Sequence, residues 1–159
     1  MKIDIKYKEV RDLDQKKVSL LIKNTIKLVQ TKLIKKKINN YVLSVLVTNN
    51  LNIKKLNFKY KNVNKETNVL SFPQENLIER VKINENVNLI GDIVLSIEKI
   101  EEEAKRYSKK FEERLTHILI HGFLHLLGYN HENSDTRKKM EKIEKEMMLN
   151  LNMSDPYCF

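Results

Sequence analysis

LTHILIHGFLHLLGYNH, residues 115–131, decides how the rest of the chain is read. The stretch is apolar almost all round, yet it holds all four histidines of the chain: His117, His121, His125 and His131. A helix rises about 1.5 Å per residue with about 3.6 residues per turn, so side chains four apart lie on one face. His121 and His125 can therefore reach a single ion from adjacent turns. Gly128 supplies a residue free to take a positive φ and end the helix, and the returning chain brings His131 back as a third ligand. His117 shares the face, but the helix climbs roughly 12 Å from His117 to His125. It reads as a packing residue, or as one that stands behind a ligand, rather than as a ligand itself.

Three neutral imidazoles leave one corner of a tetrahedral zinc open to water, the arrangement of catalytic sites rather than structural ones. Zinc lowers the pKa of such a water towards about 7. Nickel or another first-row ion would also suit three imidazoles. Written as H-x-x-x-H-x-x-G-x-x-H, the spacing is similar to the metzincin site without its glutamate. In zinc proteases that glutamate follows the first histidine and serves as general base. Here the position is Gly122, so a peptidase reading loses its proton acceptor. Hydrolysis remains open, with the base supplied by hydroxide itself, by a residue elsewhere or by the substrate.

A chain of 159 residues with 41% hydrophobic residues, three glycines and two prolines is expected to form one compact ordered domain. No apolar run reaches the roughly 18 residues needed to cross a bilayer, and MKIDIKYKEV at the amino terminus lacks the apolar region of a signal peptide. A cytosolic protein without a membrane partner is expected. The single cysteine, Cys158, cannot pair within the chain, which agrees with a reducing compartment; it reads as an exposed or loosely packed thiol. The formal net charge of +9 is compatible with a polyanion such as RNA. Yet the cations are mostly lysine amid abundant Asn and Ile, the pattern an AT-rich coding sequence produces by itself.

Along the chain, Ile3, Ile5 and Tyr7 alternate with charges as a half-buried strand would. Residues 16–35 form an amphipathic helix with Val18, Ile22, Ile26, Val29 and Leu33 on one face. Asn39 and Asn40 break it. YVLSVLVT, residues 41–48, reads as a strand at the centre of a sheet covered on both faces. Asn49 and Asn50 cap a short helix over 51–58, residues 60–67 read as a loop, and 68–73 as a strand ended by Pro73. A polar excursion over 74–87 leads to a strand over 87–96. Gly91 inside that strand signals a bulge or a close backbone approach. Asp92 beside it accepts hydrogen bonds from the bulge or stands behind a metal ligand. Ser96 caps a helix with an acidic first turn. The histidine helix covers 109–127 with Phe111, Leu115, Ile118 and Phe123 inward, and a last helix runs over 134–148 with Met140, Ile143 and Met147 inward. Strands alternating with helices give an α/β fold, a small mixed sheet packed with helices and a zincin-like metal helix.

HGFLHLLGYNH, residues 121–131, resembles the signature H-G-x-L-H-L-x-G-Y-D-H of the YbeY family of bacterial endoribonucleases, also described as ribosomal RNA maturation factors. LNFKYKNVNKETNVLSFP (56–73) resembles that family's L-N-x-x-Y-R-G-x-D-x-x-T-[DN]-V-L-S-F-P, and LIGDIVLS (89–96) its L-G-D-I-x-I-[SC]. The resemblance implies one zinc ion on His121, His125 and His131, and cleavage of single-stranded RNA. It also implies a setting in ribosomal RNA maturation, notably the 3′ end of the 16S small-subunit RNA, and in ribosome quality control. Its partners would be ribosomal RNA and the small subunit. Lys61 stands at the family's RNA-handling arginine, keeping the charge but losing the planar fork that grips phosphate. Asn130 replaces an aspartate, Asn62 a glycine and Asn64 an aspartate. Two other readings stand beside nuclease action: a non-catalytic ribosome-assembly factor with a structural metal, and a zinc peptidase.

Overall fold

The structure, a computed structural model, describes residues 1–34, 41–74 and 88–158. The break at Asn39–Asn40 and the excursion over 75–87 lie outside these residues. Four strands form one sheet in the order β1 (Lys2–Tyr7), β2 (Tyr41–Thr48), β4 (Asn88–Ser96), β3 (Val69–Pro73). β1 and β2 run parallel, as do β2 and β4, while β3 closes the far edge antiparallel to β4. Five helices accompany them among the described residues: α1 (Gln15–Leu33), α2 (Asn50–Lys61), α3 (Ile97–Arg106), α4 (Phe111–Leu126) and α5 (Ser134–Asn150). This is the mixed α/β architecture that the alternation of elements implies.

β2 is central because both its faces are apolar. Leu43, Val45 and Val47 are buried in the main core with Ile22 and Ile26 of α1 and Leu119 and Phe123 of α4. Leu46, on the opposite face, packs with Ile53 of α2 and with Leu70 and Val94. On β1 the charged residues are exposed and Ile3, Ile5 and Tyr7 half-buried, as an edge strand requires. α4 is buried almost all round since it contacts α1, α3, α5 and the β3–β4 edge.

Local signals set the helix starts. Asn49 Oδ1 accepts from the Asn52 amide at 2.9 Å, and Ser96 Oγ from the Lys99 amide at 3.4 Å. Gly91 takes φ +151° where β4 bulges against β2, and a Cβ there would lie 2.5 Å from the Phe72 carbonyl oxygen. Bulge and close approach thus occur together. α2 corrects one boundary. It continues through Tyr60 and Lys61, which the polarity of 60–67 had placed in a loop. The tertiary cause is visible in Tyr60, whose ring meets Phe72 edge-on at 5.2 Å.

Candidate metal centre

α4 presents His121 and His125 one turn apart at its carboxyl end. The helix then stops in a hydrogen-bond pattern built on Gly128: the Tyr129 amide donates to the Leu124 carbonyl at 3.0 Å and the Gly128 amide to the His125 carbonyl at 3.0 Å. This is a Schellman ending, with Gly128 at φ +88°. It reverses the chain and returns His131. One nitrogen from each of His121, His125 and His131 lies within 4.8 Å of the others. The ring centroids are 4.7 Å apart for His121–His125, 5.4 Å for His121–His131 and 5.0 Å for His125–His131. His121 and His125 are half-buried and His131 is exposed, so the cluster opens to the surface on one side.

The outward-facing nitrogens of the two helical histidines are occupied. His125 Nδ1 meets the Tyr129 carbonyl oxygen at 3.0 Å, which can only accept, so this nitrogen carries the hydrogen. His121 Nδ1 meets Glu144 Oε1 at 2.8 Å, and an ionised carboxylate also only accepts. With both rings neutral, each Nε2 presents a bare lone pair, and the two face each other at 3.1 Å. Two lone pairs at that distance repel unless a cation lies between them. Two imidazoles on one tetrahedral zinc, with Zn–N near 2.0–2.1 Å, stand about 3.3–3.4 Å apart. The donor set fits a transition-metal ion.

Burial lowers the pKa of His125 most, and the neighbouring His121, His131 and Lys61 charges add to that, against the pull of the Tyr129 carbonyl. At neutral pH the ring is in the neutral, ligand-competent form. Lys61 is exposed at the end of α2, and its charge reaches His125.

His117 lies outside the cluster. It is buried, and its Nε2 meets Glu144 Oε2 at 3.1 Å. Burial lowers its pKa, against the attraction of Glu144. Glu144 is wholly buried and takes a further hydrogen bond from the Tyr157 hydroxyl. Burial is the largest single influence on its carboxyl and raises the pKa. The hydrogen bonds from His117, His121 and Tyr157 together outweigh burial and bring the value down to about 2. The Tyr157 phenol is pushed up by burial and by that carboxylate, so it remains a donor.

Asp92 does not take the place behind a ligand. Its neighbours on β4 face α4: a Cβ on Gly91 would lie 3.0 Å from Leu126 Cδ2, and Ile93 Cγ2 would lie 3.6 Å from a Cβ on Gly122. Strand alternation turns Asp92 to the other face of the sheet. Glu144 has that place instead, and sequence reasoning passed over it. Its signal was legible, because a glutamate four residues after Met140 interrupts the apolar stripe of α5.

Comparison with known proteins agrees with this geometry. The model of the family described as "Endoribonuclease YbeY" matches residues 2–152. A protein named Endoribonuclease YbeY from Caldicellulosiruptor bescii is 38% identical over 163 aligned positions, covering 97% of this chain and 99% of the relative. Another of the same name, from Buchnera aphidicola subsp. Schizaphis graminum, is 43% identical over 126 positions, covering 79% of this chain and 77% of the relative. The solution structure of a Thermotoga maritima protein aligns over 99% of both chains with a TM-score of 0.57 and 27% identity. From the histidine cluster, the mixed sheet behind it and these likenesses over nearly its whole length, the chain belongs to the YbeY family of endoribonucleases.

Proposed function

We propose that the protein holds one zinc ion on His121, His125 and His131 and cuts single-stranded RNA during the maturation of ribosomal RNA, acting as one domain in the cytoplasm. The observation that carries the reading is the convergence of His121 and His125, whose Nε2 atoms stand 3.1 Å apart, with His131 beside them on the exposed side. The names of its relatives supply the substrate class. A zinc ion bound there supplies Lewis acidity towards a phosphate oxygen and lowers the pKa of water.

The chain's own residues hold and orient. The Tyr129 carbonyl keeps the His125 ring turned inward. Lys61 places an ammonium beside the site to offset phosphate charge, attracting a phosphate without fixing its orientation as a guanidinium would. His131 and Lys61 are both exposed, as a site that takes a polymer requires. A peptidase base at position 122 is excluded by packing: a Cβ there would meet Val69 and Ser71 of β3 at 2.9 and 3.0 Å. Trimming of the 16S 3′ end and a part in ribosome quality control, with the small subunit as partner, are the setting that we assign to this activity.

The test is single-turnover cleavage of a labelled small-subunit RNA precursor by the zinc-loaded protein and its variants. His121→Ala and His125→Ala are expected to lose cleavage by at least about a hundredfold, and Lys61→Ala by about tenfold with zinc affinity unchanged. Equal cutting by all of them would trace the activity to a contaminant and reject the assignment. RNA binding without any cut by the loaded protein would favour the non-catalytic assembly reading.

A further inference from the structure

The buried carboxylate of Glu144 stands one bond behind the histidine cluster and takes no part in the cleavage scheme above. We propose that Glu144 is a positioning residue of the metal centre, fixing His121 as the Nδ1–H tautomer with Nε2 aimed at the ion, and that the C-terminal segment reinforces it through Tyr157. The inference rests on the metal-site reading just given.

Hydrogen-bond directions are determined along one chain of side chains, buried at Glu144 and His117 and half-buried at Arg114, Glu103 and Asn68. Arg114 can only donate, and its Nη1 lies 3.0 Å from His117 Nδ1, so that nitrogen accepts and His117 Nε2 carries the hydrogen that goes to Glu144 Oε2. Arg114 is itself held by Glu103 through Nη2 at 2.7 Å and Nε at 3.0 Å, and Glu103 is held by Asn68 Nδ2 at 3.0 and 3.1 Å. Glu144 Oε2 is therefore saturated by His117 and Tyr157, which leaves Oε1 to His121 at 2.8 Å. A carboxylate behind a ligating imidazole fixes ring orientation and raises ligand basicity.

Stability alone does not explain the residue. Glu144 is buried on the same helix face as Met140, Met147 and Met148, where burying a charge costs several kcal/mol that an apolar side chain would not. The C-terminal segment is tied down so as to deliver its phenol. Lys109 Nζ donates to the Asp155 carbonyl at 2.8 Å, the Ser154 amide to Glu113 Oε1 at 3.1 Å, and Lys145 pairs with Asp155 at 3.3 Å.

The experiment compares the full-length wild type with Glu144→Met, Glu144→Gln and Tyr157→Phe. Zinc affinity is measured by competition with a chromophoric chelator, the His121 tautomer by imidazole ¹⁵N shifts of the metal-free protein, and folding by thermal melts. Glu144→Met keeps the volume and removes the acceptor; it is expected to weaken zinc binding 10- to 100-fold and to leave His121 in mixed tautomers. Glu144→Gln keeps one acceptor oxygen but sets an amide N–H2 against either His121 Nδ1–H or the His117 and Tyr157 donors, so it should restore the affinity only in part, while Tyr157→Phe should lose a few-fold. A folded Glu144→Met protein with wild-type affinity and an unchanged His121 tautomer would overturn the proposal. Should that variant fail to fold, wild-type affinity in Tyr157→Phe overturns it. Histidine variants that abolish zinc binding beside Glu144 variants that bind normally would sink this inference alone; a wild type that binds no zinc would sink the metal reading with it.

Discussion

At Gly122 the missing side chain is a packing requirement. The helix there lies so close to β3 that the Ser71 hydroxyl donates to the Gly122 carbonyl at 2.9 Å. Adding one methyl would bring it to 2.9 Å from Val69 Cγ2, on a β-branched side chain with little freedom to turn aside. Gly122→Ala gains about 1 kcal/mol in helix propensity but is expected to lose more through overpacking. Chemical denaturation should show a net loss of about 1–2 kcal/mol; a stabilised variant would mean that β3 yields easily. Asn62 is a second case. It takes φ +56° and ψ 26° at the end of α2, a left-handed conformation for which glycine is the usual residue and asparagine the next best. The replacement of the family's glycine therefore leaves the turn after Lys61 intact.

The ending of α4 does two jobs with one set of bonds. Gly128 allows the reversal that returns His131, and the same turn places the Tyr129 carbonyl where His125 Nδ1 can donate to it. Nothing lies within 4 Å of a Cβ built on Gly128, so Gly128→Ala meets only the cost of a left-handed alanine, about 1–2 kcal/mol. Relief of that strain by unwinding the turn would displace Tyr129. The expected outcome is a lower melting temperature together with a several-fold weaker zinc affinity, read by calorimetry and chelator competition. A melt that drops while zinc affinity stays constant would separate the helix ending from the orientation of His125. α5 contributes from the opposite side: its stripe of Met140 and Met147 seats it in the core, and that seating carries Glu144 to the back of His121.

On the scale of the molecule, the core does not depend on the ion. Its largest buried side chains, among them Phe123, Ile22, Leu43 and Leu119, hold the sheet to α1 and α4, whereas the histidine cluster sits at a partly open edge. Chelation is therefore expected to leave the far-UV circular dichroism unchanged and to lower the melting temperature. At a thousandfold excess of zinc over Kd, the stabilisation removed is about 4 kcal/mol. Collapse of helical signal on chelation would instead make the ion part of the fold, as the assembly-factor reading holds. The net charge of +9 has its own consequence. Binding to single-stranded RNA should weaken as salt rises, with a log–log slope of about −0.7 per phosphate contacted. Lys61→Ala should make that slope shallower by about 0.7, and an unchanged slope would remove Lys61 from the RNA contact.

The spacing of His121, His125, Gly128 and His131 is local, and helical geometry with a glycine stop is enough to bring such residues together; the strands and most helix boundaries follow from equally local periodicity. The place of Lys61 in the last turn of α2 is a different kind of fact, since α2 runs one turn further than its polarity indicates, where Tyr60 meets Phe72 on the neighbouring strand. The pairing of Glu144 with His121 across 23 residues, and the arrival of Tyr157 at the same carboxylate, belong to the packing of α5 and the C-terminal segment against α4. A one-dimensional pattern records that Glu144 interrupts an apolar stripe, but a buried charge is stable only where partners meet it, and those partners are brought there by the tertiary fold alone.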